Sequence, residues 1–416
     1  MNFIESYISN PTILKLQGAI QHYAWGGKSF IPELLHRDNA TAEPFAEYWL
    51  GAHPKSPAII KANEESIGLN MLFTAAPQLL GAAVINNFGP ALPYLFKILD
   101  AREMLSIQAH PSKQQAREGF TRENARGIPL DAPNRNYKDN NHKPEVHVAL
   151  TDFYMLHGFR PLAEIETMLN GIPEFAPLLP EFAGNDLKNL YRVIMTMPQR
   201  QVDDLLNPLL ARLEPLFAQG KLTPDAPDYW AVQASRSFPL SEGHRDRGLF
   251  SIYLLNLVHL QPGQGTFQAA GVPHAYLRGV NVELMANSDN VLRGGLTPKY
   301  IDAQELLKTL SFAAGKPEIL NGDKVSATET VYKTPARDFE LSKIHLTNNE
   351  RWSAPALHGP DILIALEGQA IISAAQNQME ISRGVACFAP AGLDYHINST
   401  TGVVLFRATV PLNNKE

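Results

Sequence analysis

The sequence predicts a mainly β protein: a jelly-roll catalytic domain broken by a helical insertion, followed by a second, metal-free jelly roll. Three observations predict this. Short apolar runs separated by turn residues fill the N-terminal third, as in a sandwich or barrel. Helical periodicity is confined to one stretch in the middle of the chain. A strand, glycine turn, strand pattern occurs twice, over 263–274 and again over 384–395. A chain of 416 residues has room for two or three such units.

The elements follow in order. Leu14-Lys15-Leu16-Gln17-Gly18 and Ala58-Ile59-Ile60-Lys61 read as short strands, and Leu92-Pro93-Tyr94-Leu95-Phe96-Lys97-Ile98-Leu99 as a strand after an early proline. From about 161 to 248 the texture changes. Leu162, Ile165, Met168 and Leu169 fall at helical spacing, as do Leu187, Leu190, Tyr191 and Ile194, with Asn185 or Asp186 as the cap. Val202, Leu205, Leu206, Leu209, Leu210 and Leu213 continue the pattern, and Pro208 predicts a kink or two short helices there. Strand texture returns near Leu254. Overlaying the two repeat copies matches their glycines, the phenylalanine and the Ala-Gly pair, and each copy reads as a hairpin. Tyr395 then falls where the first copy has His274. His396 comes one residue late, which on a strand reverses the side chain, so the second copy is expected to be structural. The expected layout is a catalytic domain over 1–158 and 250–325, a helical insertion over 159–249 and a C-terminal jelly roll over 326–416.

Composition narrows the function. The net charge of −6 lacks the basic excess of a general nucleic-acid binder. An anionic substrate would need a local cluster of Lys and Arg. The single cysteine, Cys387, excludes a disulfide framework and any Cys-based zinc finger, and fits a reducing compartment. No aliphatic run is long enough to span a bilayer, and no signal peptide is evident, so a cytoplasmic location is expected.

The chemistry lies in four short stretches. In Ser106-Ile107-Gln108-Ala109-His110-Pro111, strand alternation puts Ser106, Gln108 and His110 on one face. Polar side chains on the inner face of a jelly roll are costly unless something pairs them, and a metal would. In Asn141-His142-Lys143-Pro144-Glu145-Val146-His147, Pro144 can start a strand on which Glu145 and His147 share a face. There are 13 histidines, so most must be ordinary; His142 and His147 read as hydrogen-bonded edge residues and Lys143 alone as a surface charge. His274 follows a glycine turn and can point into the barrel. Gln108, His110, Glu145 and His274 together make a sulfur-free ligand set suited to Zn²⁺ or a similar divalent ion with open positions; manganese, cobalt and nickel accept the same donors. Further on, Arg293 and Lys299 can face an anion across a glycine-rich turn.

These residues resemble type I phosphomannose isomerase, a cupin-type family. The similarity is carried by Tyr23-Ala24-Trp25-Gly26, Ala46-Glu47-Tyr48-Trp49-Leu50-Gly51-Ala52-His53-Pro54, Leu95-Phe96-Lys97-Ile98-Leu99, Leu105-Ser106-Ile107-Gln108-Ala109-His110-Pro111, Tyr137-Lys138-Asp139-Asn140-Asn141-His142-Lys143-Pro144-Glu145 and Asn287-Ser288-Asp289-Asn290-Val291-Leu292-Arg293. One departure is Ala269, where the family usually has a proline in the turn before the metal histidine. The resemblance implies that Gln108, His110, Glu145 and His274 hold one zinc, that Arg293 is catalytic, and that Ser106, Lys143, Tyr276, Glu283, Asp289 and Lys299 line a sugar-phosphate pocket. The implied reaction interconverts mannose 6-phosphate and fructose 6-phosphate through an enediolate, with Lys143 or Glu283 moving the proton. Three alternatives compete with this reading: a metal-dependent oxygenase on the same scaffold, a non-catalytic sugar-phosphate sensor, and a bifunctional nucleotidyltransferase, which the length and the lack of a glycine-rich nucleotide loop disfavour.

Overall fold

The computed structural model describes residues 3–62, 65–375 and 377–412. Among these, the strands form two antiparallel assemblies, one of ten strands around the catalytic region and one of twelve around the C-terminal region.

The spine of the first assembly is the long strand His274–Ala286. Its beginning pairs with Ile107–Ala109 and Phe153–Phe159, and its end with Tyr94–Ala101 and Glu145–Ala149. One strand serves both walls because it bends midway, where the register slips between Tyr276 and Arg278. Gly279 makes the bend possible. Its φ is +125°, and a Cβ there would lie 2.5 Å from the Asp152 carbonyl oxygen. The result is a rolled sheet whose inner face carries the polar residues discussed below.

The helices lie where the periodicity places them. Leu162–Gly171 and Leu187–Thr196 bury Ile165, Leu169, Leu190, Tyr191 and Ile194, and Asp186 caps the second by accepting the Asn189 amide at 2.8 Å. Of the two outcomes expected at Pro208, two short helices do not form: Gln199–Ala218 is a single helix. Pro208 is exposed, so water can satisfy the carbonyl that the missing N–H leaves free. The insertion shares one apolar core with the strand bearing Ile107 and Ala109, which ties it to the wall that holds the site.

Two further expectations change. Neither repeat copy is a hairpin. Gly265–Gln268 pairs with Glu145–Ala149 and not with the strand that follows it, and Ala386–Ala389 and His396–Ser399 likewise do not pair with each other but with separate stretches of the strand Asp361–Ala374. The glycine turn carries the chain from one wall of the roll to the other. Nor does the N-terminal segment stay in the first assembly. Leu14–Gln17 pairs with Ala386–Ala389, and Ile59–Ala62 joins it. Leu16 and Ile60 are fully or nearly buried, in a core shared with Phe388 and Phe406. Short apolar strands have no sequence signal for which sheet edge they complete.

Inside the C-terminal roll, Tyr395 is buried and donates to Asp361 at 2.7 Å. Asp361 also meets Arg407 at 3.0 Å and His358 at 3.1 Å. Side chains of this chain thus pair with one another in the interior of the second roll.

Candidate metal centre and catalytic pocket

The sheet registers bring the distant residues together. Gln108 lies opposite His274 on one neighbouring strand and opposite Arg293 on the other. Paired residues point to the same face, so ligand candidate, ligand candidate and arginine form one row across the wall. Glu145 enters from the adjacent strand, where it faces Gln268 and Met285.

His110, Glu145 and His274 offer donor atoms within 4.8 Å of one another, and all three are buried. The Nε2 atoms of His110 and His274 lie 3.3 Å and 3.6 Å from the Glu145 carboxylate. Each imidazole meets a backbone carbonyl through Nδ1, His110 at Asn290 (2.8 Å) and His274 at Val272 (2.9 Å). A carbonyl can only accept, so Nδ1 carries the hydrogen and a neutral ring leaves a lone pair on Nε2. Neither Nε2 has a hydrogen-bond partner. Burial pulls His274 down to about 3, with the neighbouring His110 adding to it. Two nitrogen lone pairs therefore face a carboxylate in a dry site. Burial opposes ionisation of Glu145, but the ammonium of Lys143 works the other way and its carboxyl lies well below the usual range. The missing complement is a cation, and the donor types fit zinc.

Beside this cluster opens a cavity of about 590 Å³. Gln108, Glu145, Lys143, Glu283, Tyr276, Ser106, Arg293 and Lys299 all line it. Lys143 Nζ is 3.0 Å from Glu145 Oε1, so it is not the free surface charge its sequence position suggested. Tyr276 donates to Glu283 at 2.8 Å. Burial lowers Arg293 from its ordinary value, and burial followed by the neighbouring Arg293 lowers Lys299. Among the described residues neither has a carboxylate partner, so this end of the cavity is suited to an anion.

One expected lining residue is elsewhere. Asp289 does not reach the cavity; its carboxylate bridges His53 (3.2 Å) and Lys55 (2.7 Å). The bond from His53 does most to hold it well below the usual carboxylate range. The reason is local: Asp139 accepts from the Asp289 amide and from Ser288, which pins the turn and directs the Asp289 side chain away. His147 is not an edge residue either. Its strand is paired on both sides, and it is fully buried against Met155 and Thr266. His142 is hydrogen-bonded, to Asp338 of the C-terminal region at 3.0 Å.

Sequence reasoning gave no role to Lys97 or Glu47. Lys97 is 5% exposed in the middle of the strand Tyr94–Ala101 and donates to Glu283 at 2.8 Å, with Glu47 3.8 Å away. The available signal was a lysine between Phe96 and Ile98 in a run otherwise apolar up to Leu99, where an unpaired charge would be untenable.

Comparison with known proteins gives a consistent result. Residues 13–162 match the family described as phosphomannose isomerase type I, catalytic domain. The chain is 39% identical over 385 residues to the mannose-6-phosphate isomerase of Escherichia coli K12, covering 91% of this chain and 94% of that protein. It is 35% identical to the mannose-6-phosphate isomerase of Rattus norvegicus, covering 98% of both. A solved mannose 6-phosphate isomerase from Salmonella typhimurium, bound to fructose 6-phosphate and zinc, is similar with a TM-score of 0.85 and 37% identity, over 96% of this chain and 100% of that one.

Proposed function

The chain belongs to the type I phosphomannose isomerases, and from that premise we propose a residue-level account of its catalysis. It is a zinc-dependent isomerase that interconverts mannose 6-phosphate and fructose 6-phosphate. The observation that carries the assignment of the site is the pair of buried, partnerless imidazole nitrogens facing Glu145 beside a cavity with a cationic end.

In this reading His110, Glu145, His274 and Gln108 hold the metal, which when bound supplies Lewis-acid polarisation of the sugar's C1 and C2 oxygens. The phosphate sits against Arg293 and Lys299, with Ser106 at the wall between them and the metal ligands. Binding the phosphate there fixes C1 and C2 and spends remote binding energy on orientation. The reaction moves a proton from C2 to C1 and another from the C2 hydroxyl to the C1 oxygen. We assign the carbon-bound proton to Glu283. Both its oxygens are fixed, one by Lys97 and one by Tyr276, yet each retains a lone pair for the substrate. Lys143, paired with the metal-side carboxylate, we assign as the donor to the sugar oxygens.

The experiment is a coupled isomerase assay on Arg293→Ala together with metal analysis. Turnover should fall by orders of magnitude while zinc stays near one per chain. Loss of zinc from that variant would refute the role. Among the described residues no helix is long and apolar enough to cross a membrane. A cytoplasmic location is our reading, supported by the lone buried thiol of Cys387.

A further inference from the structure

A second concentration of positive charge lies outside the catalytic cavity. Lys15, Arg37, Lys61 and Arg383 line a groove of about 420 Å³, and no carboxylate lines it. Among the described residues none of the four forms an ion pair, on a chain whose net charge is −6.

The cations fall into two pairs. Leu16 lies opposite Ile60, and Gln17 opposite Ile59, so the same antiparallel register sets Lys15 across from Lys61. Leu16 and Ile60 face the core, which turns both lysines outward on one face. Like charges directly opposite on neighbouring strands repel. The second pair is held by the backbone. His36 adopts φ +51°, a strained conformation for a residue with a side chain, and its Nε2 meets the Arg383 carbonyl oxygen at 3.1 Å. Behind it Gly384 approaches so closely that a Cβ would lie 1.9 Å from the Leu34 carbonyl oxygen. This contact brings the turn carrying Arg383 against the segment carrying Arg37. Four cations thus line one groove with no carboxylate among them, and a residue with positive φ joins the two segments that carry them.

We propose that this groove binds a small organic bisphosphate, with one phosphoryl group on the Lys15 and Lys61 ammoniums and the other on the Arg37 and Arg383 guanidiniums. Two phosphoryl groups carry enough charge for four cations, and guanidiniums suit phosphate oxygens by geometry as well as charge. The groove is distinct from the catalytic pocket. Tyr48 lines the groove and Glu47, the preceding residue of the same strand, lines the catalytic cavity, so the two lie on opposite faces and can be filled together.

The test is equilibrium dialysis of the zinc-loaded full chain against labelled fructose 1,6-bisphosphate, with excess fructose 6-phosphate to occupy the catalytic pocket. One equivalent should bind. The double variant Lys15→Ala/Lys61→Ala should weaken it at least tenfold while isomerase turnover without the bisphosphate is unchanged, and Arg293→Ala should leave it intact. Equal binding to the double variant, or no binding to the parent, overturns the proposal. Inorganic phosphate should bind at least tenfold more weakly than the bisphosphate; equal affinity overturns the two-phosphoryl assignment. Lys61→Glu supplies a second readout: without ligand it should melt at a higher temperature than the parent, because repulsion becomes attraction, and a lower one would sink the register argument.

Discussion

Replacing Lys97 by methionine tests whether the buried charge cluster is one electrostatic unit. The substitution keeps most of the side-chain volume and removes the ammonium. What remains is Glu283, 2.8 Å from the lost nitrogen, and Glu47, 3.8 Å from it, both more than nine-tenths buried. Burial already raises the Glu47 carboxyl, with Lys97 the first group lowering it. Breaking such a pair by deleting one partner costs about 3–5 kcal/mol. For a chain of this length that is a fall in melting temperature of roughly 3–6 °C. The penalty should shrink below neutral pH. Without the ammonium the carboxyls protonate more readily in the folded state than in the unfolded chain, so stability of the variant declines as pH rises. The assay is thermal and urea unfolding of the zinc-loaded protein from pH 5 to 8, with turnover followed in parallel. Adding Glu283→Gln to Lys97→Met should recover at least half of the lost stability, because one of the stranded charges is gone, while turnover stays low. Strictly additive losses in the double variant would show that Lys97 and Glu283 do not act on each other and would refute the argument.

Other expectations follow from single features of the structure. Chelation should abolish isomerase turnover and lower the melting temperature, and zinc should restore both; turnover persisting in protein shown to be metal-free would contradict the reading of the His110 and His274 nitrogens. Burial pushes Asp100 up to about 6. The folded state therefore holds that proton after the unfolded chain has released it, and stability should fall by about 2 kcal/mol as pH rises from 4 to 7; Asp100→Asn should flatten this part of the profile, and parallel profiles would count against it. In the C-terminal roll, Arg407→Leu strands the fully buried Asp361 and should destabilise the fold by about 3–5 kcal/mol without changing zinc content. A loss of zinc in that variant would mean that the two rolls share the metal site.

The candidate metal ligands were legible from local pattern, Gln108, His110 and Glu145 from strand alternation and His274 from its place after a glycine turn. Gln108 with His110, and Glu145 with His147, share a face whatever the rest of the chain does, and a polar inward face needs a partner. Which of those histidines takes a ligand's place was not legible from alternation. His147 shares the face of Glu145 but lies deeper, where Met155 and Thr266 occupy it, and only the register of Gly265–Gln268 decides that. Asp289 failed for a similar reason. The resemblance put it in the pocket, but the hydrogen bonds from Ser288 and the Asp289 amide to Asp139, about 150 positions away, set the direction of the turn. The same limit applied to the edges. Nothing in Leu14-Lys15-Leu16-Gln17 states that it will pair with Ala386–Ala389, because an alternating strand fits any half-buried edge of matching length. Lys97 differs from these cases. A cation in the centre of a buried strand has to be neutralised by something, so its importance could be read from the sequence even though its partners could not. Where burial makes a charge impossible alone, the sequence announces a site; which groups complete it is settled by strand register.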